Sequence, residues 1–316
     1  MSISGVLYAD YSGYDVTLTQ NVVFAHRESG DLTMQILTPY RPNYPYRPIK
    51  MKENDPKAQF HHGEPQKDSR RFPLVVAVPG SGWSGADGLA FVPRMMALAQ
   101  QGYVVACVSY RGTFKDDVRF PAAVQDVKEA IRFMRAHAEE YLVDVNRVAL
   151  LGDSSGGHTA AMAALTADES RWNIGEHLEE TTVVKSCVLF YAPNDLWNLV
   201  PDRREESKHL RPGEGEYPFE AREIFAEDFL QDPQGMLADA SPINHIKAEG
   251  PLPPFIFLNG DKDPIIPLKQ GMRFCERVRE AGGTAEFYKI LGAQHGAGCW
   301  TTDALKLVIQ FLKATL

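Results

Sequence analysis

The chain predicts an α/β protein: a mostly parallel central sheet with helices on both faces. Three observations predict it. Apolar runs such as PLVVAVP (73–79) and YVVACVSY (103–110) lack polar alternation, so both faces of each strand must be covered. Helix-like stretches alternate with these runs, and parallel neighbouring strands need such crossovers. The 316 residues are 44% hydrophobic and 23% charged, which suffices for one large core.

The elements follow in order. Residues 14–38 alternate apolar and polar, and predict two strands joined by the turn Glu28-Ser29-Gly30-Asp31. Residues 39–71 are rich in Pro, Lys and His and read as an irregular surface excursion. After the strand at 73–79, a helix is expected at 88–101, with Gly102 as its stop, then the strand at 103–110. Residues 121–140 form the clearest helix: Pro121 suits its first turn, and Val124, Val127, Ile131 and Met134 share one face. RVALL (147–151) is a strand and the Ala-rich stretch 156–167 a helix. Strands at 183–191, 254–260 and 285–290 and helices at 268–281 and 301–315 complete the alternation. Residues 192–250 interrupt it and read as an inserted cap, centred on 195–235. The whole chain, 1–316, reads as a single domain.

Composition narrows the partners. Lys and Arg number 33 against 41 Asp and Glu, a net charge of −8. Phosphate binding needs a basic surface, so no nucleic-acid partner is expected. No apolar run is long enough to span a bilayer, and MSISGVLYADYSGYD lacks the basic start and apolar core of a secretory signal. No membrane partner is expected, and a cytoplasmic location is. Four cysteines without a C-x-x-C pair (Cys107, Cys187, Cys275 and Cys299) are expected as free thiols. His61-His62 is an adjacent pair in polar sequence, and metal-ligand spacings are missing, so neither a metal nor a cofactor is expected.

The strongest local signal is Gly152-Asp153-Ser154-Ser155-Gly156-Gly157-His158. It follows RVALL and opens the Ala-rich helix, the context of a nucleophile elbow, with Gly152 and Gly156 flanking Ser154 two residues away on each side. A second serine, Ser84, also sits among small residues after a strand, but no helical pattern starts directly after it. Pro79-Gly80-Ser81-Gly82-Trp83 reads instead as an oxyanion-hole loop, because glycines let backbone amides turn toward a substrate oxygen. Gly80, Gly82 and Gly85 also spell a dinucleotide fingerprint, but the next strand ends Ser109-Tyr110-Arg111, without the acid that would hold a ribose.

A serine hydroxyl needs a base, and the base needs an acid to hold its tautomer. Downstream histidines are His158, His177, His209, His245 and His295. His295 lies between the last strand and the last helix, where this fold would present a base. For the acid, Asp261 and Asp263 compete in Asn259-Gly260-Asp261-Lys262-Asp263-Pro264, with Asp195 a third candidate.

These residues resemble the α/β-hydrolase esterases of the acetylxylan/feruloyl-esterase-like group, related to hormone-sensitive-lipase-like and prolyl-oligopeptidase-like hydrolases. The resemblance covers roughly 70–195 and 240–316. It is carried by FPAAVQDVKEAIRFMRAHAEEYLVDVNRVALLGDSSGGHTAAMAAL, VSYRG, SPINHI, NGDKDPIIP and GAQHG. It implies an α/β-hydrolase fold and a triad of Ser154, Asp263 and His295, with Asp261 bracing the turn. It also implies oxyanion amides from Ser81, Gly82 and Ser155. Where the family usually writes H-G-G-G-W, this chain has Pro79-Gly80-Ser81-Gly82-Trp83, so a differently built hole is expected.

The function so implied is hydrolysis of short-chain or carbohydrate-linked acyl esters through an acyl-enzyme. An amide hydrolase and a non-catalytic binding protein of the same fold are the alternatives. The expected partner is a small-molecule ester, with a homo-oligomer as a further expectation. Trp83, Trp197, Tyr217 and Phe219 are candidates to stack on substrate, and Arg203, Arg204 and His209 to meet a carboxylate.

Overall fold

A computed structural model describes residues 13–41, 70–206, 215–248 and 250–316. The chain opens with β1 (Asp15–Arg27) and β2 (Gly30–Tyr40), the expected antiparallel hairpin. Then come β3 (Phe72–Val78), α1 (Val92–Gln100), β4 (Val104–Val108), α2 (Thr113–Asp116) and α3 (Ala122–Ala136). Next are β5 (Val143–Asp153), α4 (Ser154–Leu165) and β6 (Ser186–Phe190). The short helices α5 (Leu199–Glu206), α6 (Phe219–Phe225) and α7 (Pro233–Asp239) precede β7 (Phe255–Gly260). The chain closes with α8 (Leu268–Glu280), β8 (Ala285–Ile290) and α9 (Thr302–Thr315).

The eight described strands lie in the order β1-β2-β4-β3-β5-β6-β7-β8. Along that order pairing is antiparallel from β1 through β2 to β4 and parallel from β4 through β3 to β8. The apolar runs alternate between two cores, as a doubly covered sheet requires. Leu74, Val76 and Val78 face one core with Val127 of α3, Ala161 of α4 and Phe274 of α8. Val75 and Ala77 face the other with Met95 of α1 and Val308 of α9. This is the α/β-hydrolase fold.

Several boundaries differ from expectation. Strand β2 runs on through Tyr40, so the excursion starts later than residue 39, and residues 42–69 lie outside the described residues. The helix expected from 88 starts as a 3-10 turn (Gly88–Phe91), and α1 begins at Val92 with Pro93 in its first turn. Strand β5 starts four residues early, because Val143 and Asp144 pair with Phe72 and Pro73 across a register break. The consequential difference is α4. It starts at Ser154, directly off β5, rather than at 156.

Candidate active site

The elbow is a steric construction. Ser154 has φ +52°, a left-handed conformation that disfavours side chains, so the surrounding structure must hold it. Both flanking glycines are obligatory. A Cβ on Gly152 would lie 2.4 Å from the Gly156 carbonyl oxygen, and one on Gly156 2.2 Å from that of Val78. The turn therefore presses β5, α4 and the end of β3 together, and lifts the Ser154 side chain above the sheet.

Three side chains from separate loops meet there. Ser154 Oγ lies 2.9 Å from His295 Nε2, and His295 Nδ1 lies 2.8 Å from Asp263 Oδ2. An ionised carboxylate only accepts, so Nδ1 carries the proton. Nε2 is then free to accept from the serine hydroxyl. Asp263 is held in turn by the Ile265 and Ile266 amides, which donate to its Oδ1 at 2.8 and 2.9 Å. The other acid candidates lie elsewhere. Asp261 accepts from the Gly292 amide at 2.6 Å, so it clips the loop after β7 to the loop that carries His295. Asp195 pairs with Arg273 at 2.8 Å and accepts from Asn198.

The oxyanion loop departs from expectation at one residue. The Ser81 amide is already committed, donating to Ser155 Oγ at 2.8 Å. Gly80 is committed too, donating to Asp153 Oδ1 at 2.6 Å. That leaves two amides. Gly82, at φ +60°, has no hydrogen-bond partner for its N–H among the described residues. Ser155 stands in the first turn of α4, where amides lack an intrahelical acceptor. Tyr110, wholly buried, braces the loop from behind. Its hydroxyl donates to the Pro79 carbonyl at 2.7 Å and lies 3.1 Å from Ser81 Oγ. Burial pushes that phenol up to about 12, so it remains a donor. The side chain on Ser81 thus has a bracing partner.

A cavity of about 180 Å³ opens on Ser154 and His295, walled by Gly82, Trp83, Glu223 and Ile265 among others. Trp83 also lines a second space of about 20 Å³, between its indole and Phe120. The indole Nε1–H donates to His158 Nδ1 at 3.1 Å, and His158 Nε2–H donates to the Ala240 carbonyl at 2.6 Å. Burial pushes His158 down to about 4, which keeps the ring neutral and able to serve as that acceptor. His158 therefore ties α4 and Trp83 to the segment after α7.

Most of the proposed substrate residues are elsewhere. Trp197 is 46% exposed and does not line the cavity. Neither does Tyr217, whose ring packs edge-on against Phe229 at 5.7 Å, nor Phe219 at the start of α6. Arg203 is buried and gripped by the Glu220 carboxylate, with Nη1 donating at 3.1 Å, so it does not offer a carboxylate site. Arg204 donates to the Gly215 carbonyl, while His209 and His61-His62 lie outside the described residues. Glu223 takes the place the sequence had assigned to cations. Its Oε1 would lie 3.3 Å from a Cβ on Gly82. Nothing in the local sequence marks it, because α6 is short and carries no motif. All four cysteines are free and buried, and no cluster among the described residues has the composition of a metal site. No helix among the described residues is long and apolar enough to cross a membrane.

A family profile described as BD-FAE matches residues 63–278. The chain belongs to the BD-FAE family. This BD-FAE chain is 31% identical over 230 residues to esterase LipQ of Mycobacterium tuberculosis, a match covering 72% of this chain and 51% of LipQ. It is 28% identical to isoprenylcysteine alpha-carbonyl methylesterase ICME of Arabidopsis thaliana, over 73% of this chain and 53% of that one. It thus spans about half the length of the curated relatives it matches. Among solved structures, a truncated carbohydrate esterase from gut microbiota superposes with a TM-score of 0.73 at 23% identity, covering 97% of this chain and 98% of that one. The propionate-bound esterase Est2 of the planctomycete Thermogutta terrifontis superposes with a TM-score of 0.66 at 23% identity, over 97% and 96% of the two chains. At that identity these likenesses speak for the fold of the BD-FAE chain.

Proposed function

We propose that the protein is a serine carboxylic-ester hydrolase acting on short-chain or carbohydrate-linked acyl esters. The observation that carries this reading is the unbroken hydrogen-bonded chain from Ser154 Oγ through His295 to Asp263, at a cavity that Gly82 of the oxyanion loop also lines. The relatives named as esterases support it.

The geometry performs the reaction in two halves. His295 Nε2 takes the Ser154 proton as Oγ attacks the ester carbonyl. The Gly82 and Ser155 amides hold the oxygen that becomes negative. As the intermediate collapses, the carbon–oxygen bond to the alcohol breaks and Nε2 gives that alcohol its proton. Water then loses a proton to Nε2 and attacks the acyl carbon, and Ser154 recovers its hydrogen as the acid leaves. Asp263 keeps the imidazole in the tautomer each half requires. Residues 195–235 act as the cap over this site in a single domain. Free thiols at all four cysteines support work in a reducing cytoplasm.

Trp83 lines the cavity and also a second space of only about 20 Å³, which supports short acyl groups. A panel of acetyl, butyryl, octanoyl and feruloyl esters, run with an acetanilide and with Ser154→Ala, tests the reading. The expected result is activity falling from acetyl to octanoyl, with little anilide turnover and a loss of about 10⁴-fold or more in Ser154→Ala. Preference for octanoyl overturns the short-chain assignment, and full activity in Ser154→Ala overturns the mechanism.

A further inference from the structure

Alongside the triad runs a second chain of hydrogen bonds. Trp300 Nε1–H donates to Tyr191 Oη at 2.8 Å. The Tyr191 hydroxyl donates to Asp153 Oδ2 at 2.7 Å, and Gly80 N–H donates to Asp153 Oδ1 at 2.6 Å. All the donors point toward one buried carboxylate, an arrangement in which each bond polarises the next. Arg94 adds positive charge at the outer end, 3.6 Å from Asp153 Oδ2, with its guanidinium over the Trp300 ring.

The chain joins the oxyanion loop, the elbow and the segment that carries the base. Gly80 belongs to the oxyanion loop, Asp153 to the elbow, Tyr191 to the end of β6, and Trp300 to the segment carrying the base. The Tyr191 ring also packs edge-on against the His295 ring, with centroids 4.8 Å apart. Tyr191 holds this place at φ +36°, a conformation that an ordinary side chain adopts only under constraint. Gly80 is pressed onto the elbow so closely that a Cβ there would lie 2.7 Å from the Asp153 carbonyl oxygen. None of these groups needs to touch substrate. Yet the direction of the free Gly82 amide follows from where Gly80 is pinned, two residues earlier.

We infer that Asp153 and Tyr191 are positioning residues that couple the oxyanion loop to the His295 loop, so that the two stabilising halves of the site are set together. This rests on the serine-esterase reading and deepens it. Burial and the Asp153 charge both raise the Tyr191 phenol far above its ordinary range, so the hydroxyl keeps its proton throughout the working pH range.

The test is Tyr191→Phe, which removes one oxygen and keeps the ring on His295. With p-nitrophenyl acetate, kcat is expected to fall roughly tenfold with KM nearly unchanged. Affinity for 1,1,1-trifluoropentan-2-one, whose adduct with Ser154 carries the oxyanion, is expected to fall by the same factor. Asp153→Asn keeps the shape but turns an NH₂ toward one of two donors, and is expected to cost roughly a hundredfold. The double variant is expected to lose less than the product of the two, because both act on one chain. A Tyr191→Phe enzyme with wild-type kcat and wild-type ketone affinity overturns the inference, even if its melting temperature falls, since that pattern is structural support alone. If Asp153→Asn does not fold, Tyr191→Phe decides by itself. Wild-type protein that neither turns over esters nor binds the ketone removes the esterase reading and this inference together; ester turnover with an indifferent Tyr191→Phe removes only the inference.

Discussion

The carboxyl rim of the sheet and the segment between β6 and β7 lie on opposite sides of one cavity, and they are built by different rules. At the rim, position is set by backbone. Strands β3, β5, β6, β7 and β8 end side by side, and residues at or just past their ends bond across: Gly80 and Tyr191 to Asp153, and Gly292 to Asp261. In the segment opposite, α5, α6 and α7 have eight residues or fewer, and position is set by side chains packed around Trp83, Leu196, Phe225 and Phe229. Chemistry needs atoms placed within a fraction of an ångström, which strained turns and paired strands provide. Selectivity needs only a wall of suitable charge and shape, which many packings provide.

Four substitutions sharpen that contrast. The largest effect belongs to the rim. Asp263→Asn is expected to lower kcat by about 10⁴-fold, because an amide no longer enforces the imidazole tautomer. Asp195→Asn, at the root of the opposite segment, is expected to lower it less than tenfold, since its carboxylate serves Arg273 and Asn198. Steady-state rates on a short-chain ester compare them, and a reversed order would return the acid's role to Asp195.

The second effect concerns the tie between the two regions. His158 has its folded pKa depressed from 6.5 to about 4 by burial. Below pH 6.5 the unfolded chain binds the proton and the folded one does not, so this contribution is complete above pH 6.5 and is lost as pH falls toward 4. The full loss is on the order of 3 kcal/mol, with about 2 kcal/mol gone by pH 5. Urea unfolding at pH 7.5 and pH 5 is expected to show that drop in the wild type and a smaller one in His158→Gln. Equal drops would mean that the ring is hydrated rather than sealed under Ala240.

The smallest effect lies on the wall. A carboxylate beside the oxyanion loop works against the charge that develops there, and a cation on the substrate cancels that cost. Glu223→Gln is therefore expected to lower the ratio of acetylcholine to 3,3-dimethylbutyl acetate hydrolysis roughly tenfold at low salt. An unchanged ratio would show that the wall carries no net charge at the reacting bond.

The same contrast explains what could be read in advance. Gly152, Ser154 and Gly156 were legible because a side chain at either glycine collides with backbone, so composition betrays geometry. The strands were legible because burial on both faces demands unbroken apolar runs. The acid was harder. Asp261 and Asp263 share one turn, and only the direction of each carboxylate tells the clip from the partner of His295. Tyr191, Asp153 and Trp300 left no pattern, since their bonds cross between loops far apart in the chain. Ser81 misled, because its amide points to the Ser155 hydroxyl rather than to the cavity.

By itself, the order of residues determined the sheet, its two coverings and the bend that carries Ser154, because these depend on local sterics and on periodic burial. Only the tertiary structure decided which amides remain unspent, which carboxylate faces the imidazole, and that Glu223 rather than Arg203 lines the cavity. Those outcomes depend on how side chains from distant segments share donors and acceptors, and that competition is settled only once the loops are packed together.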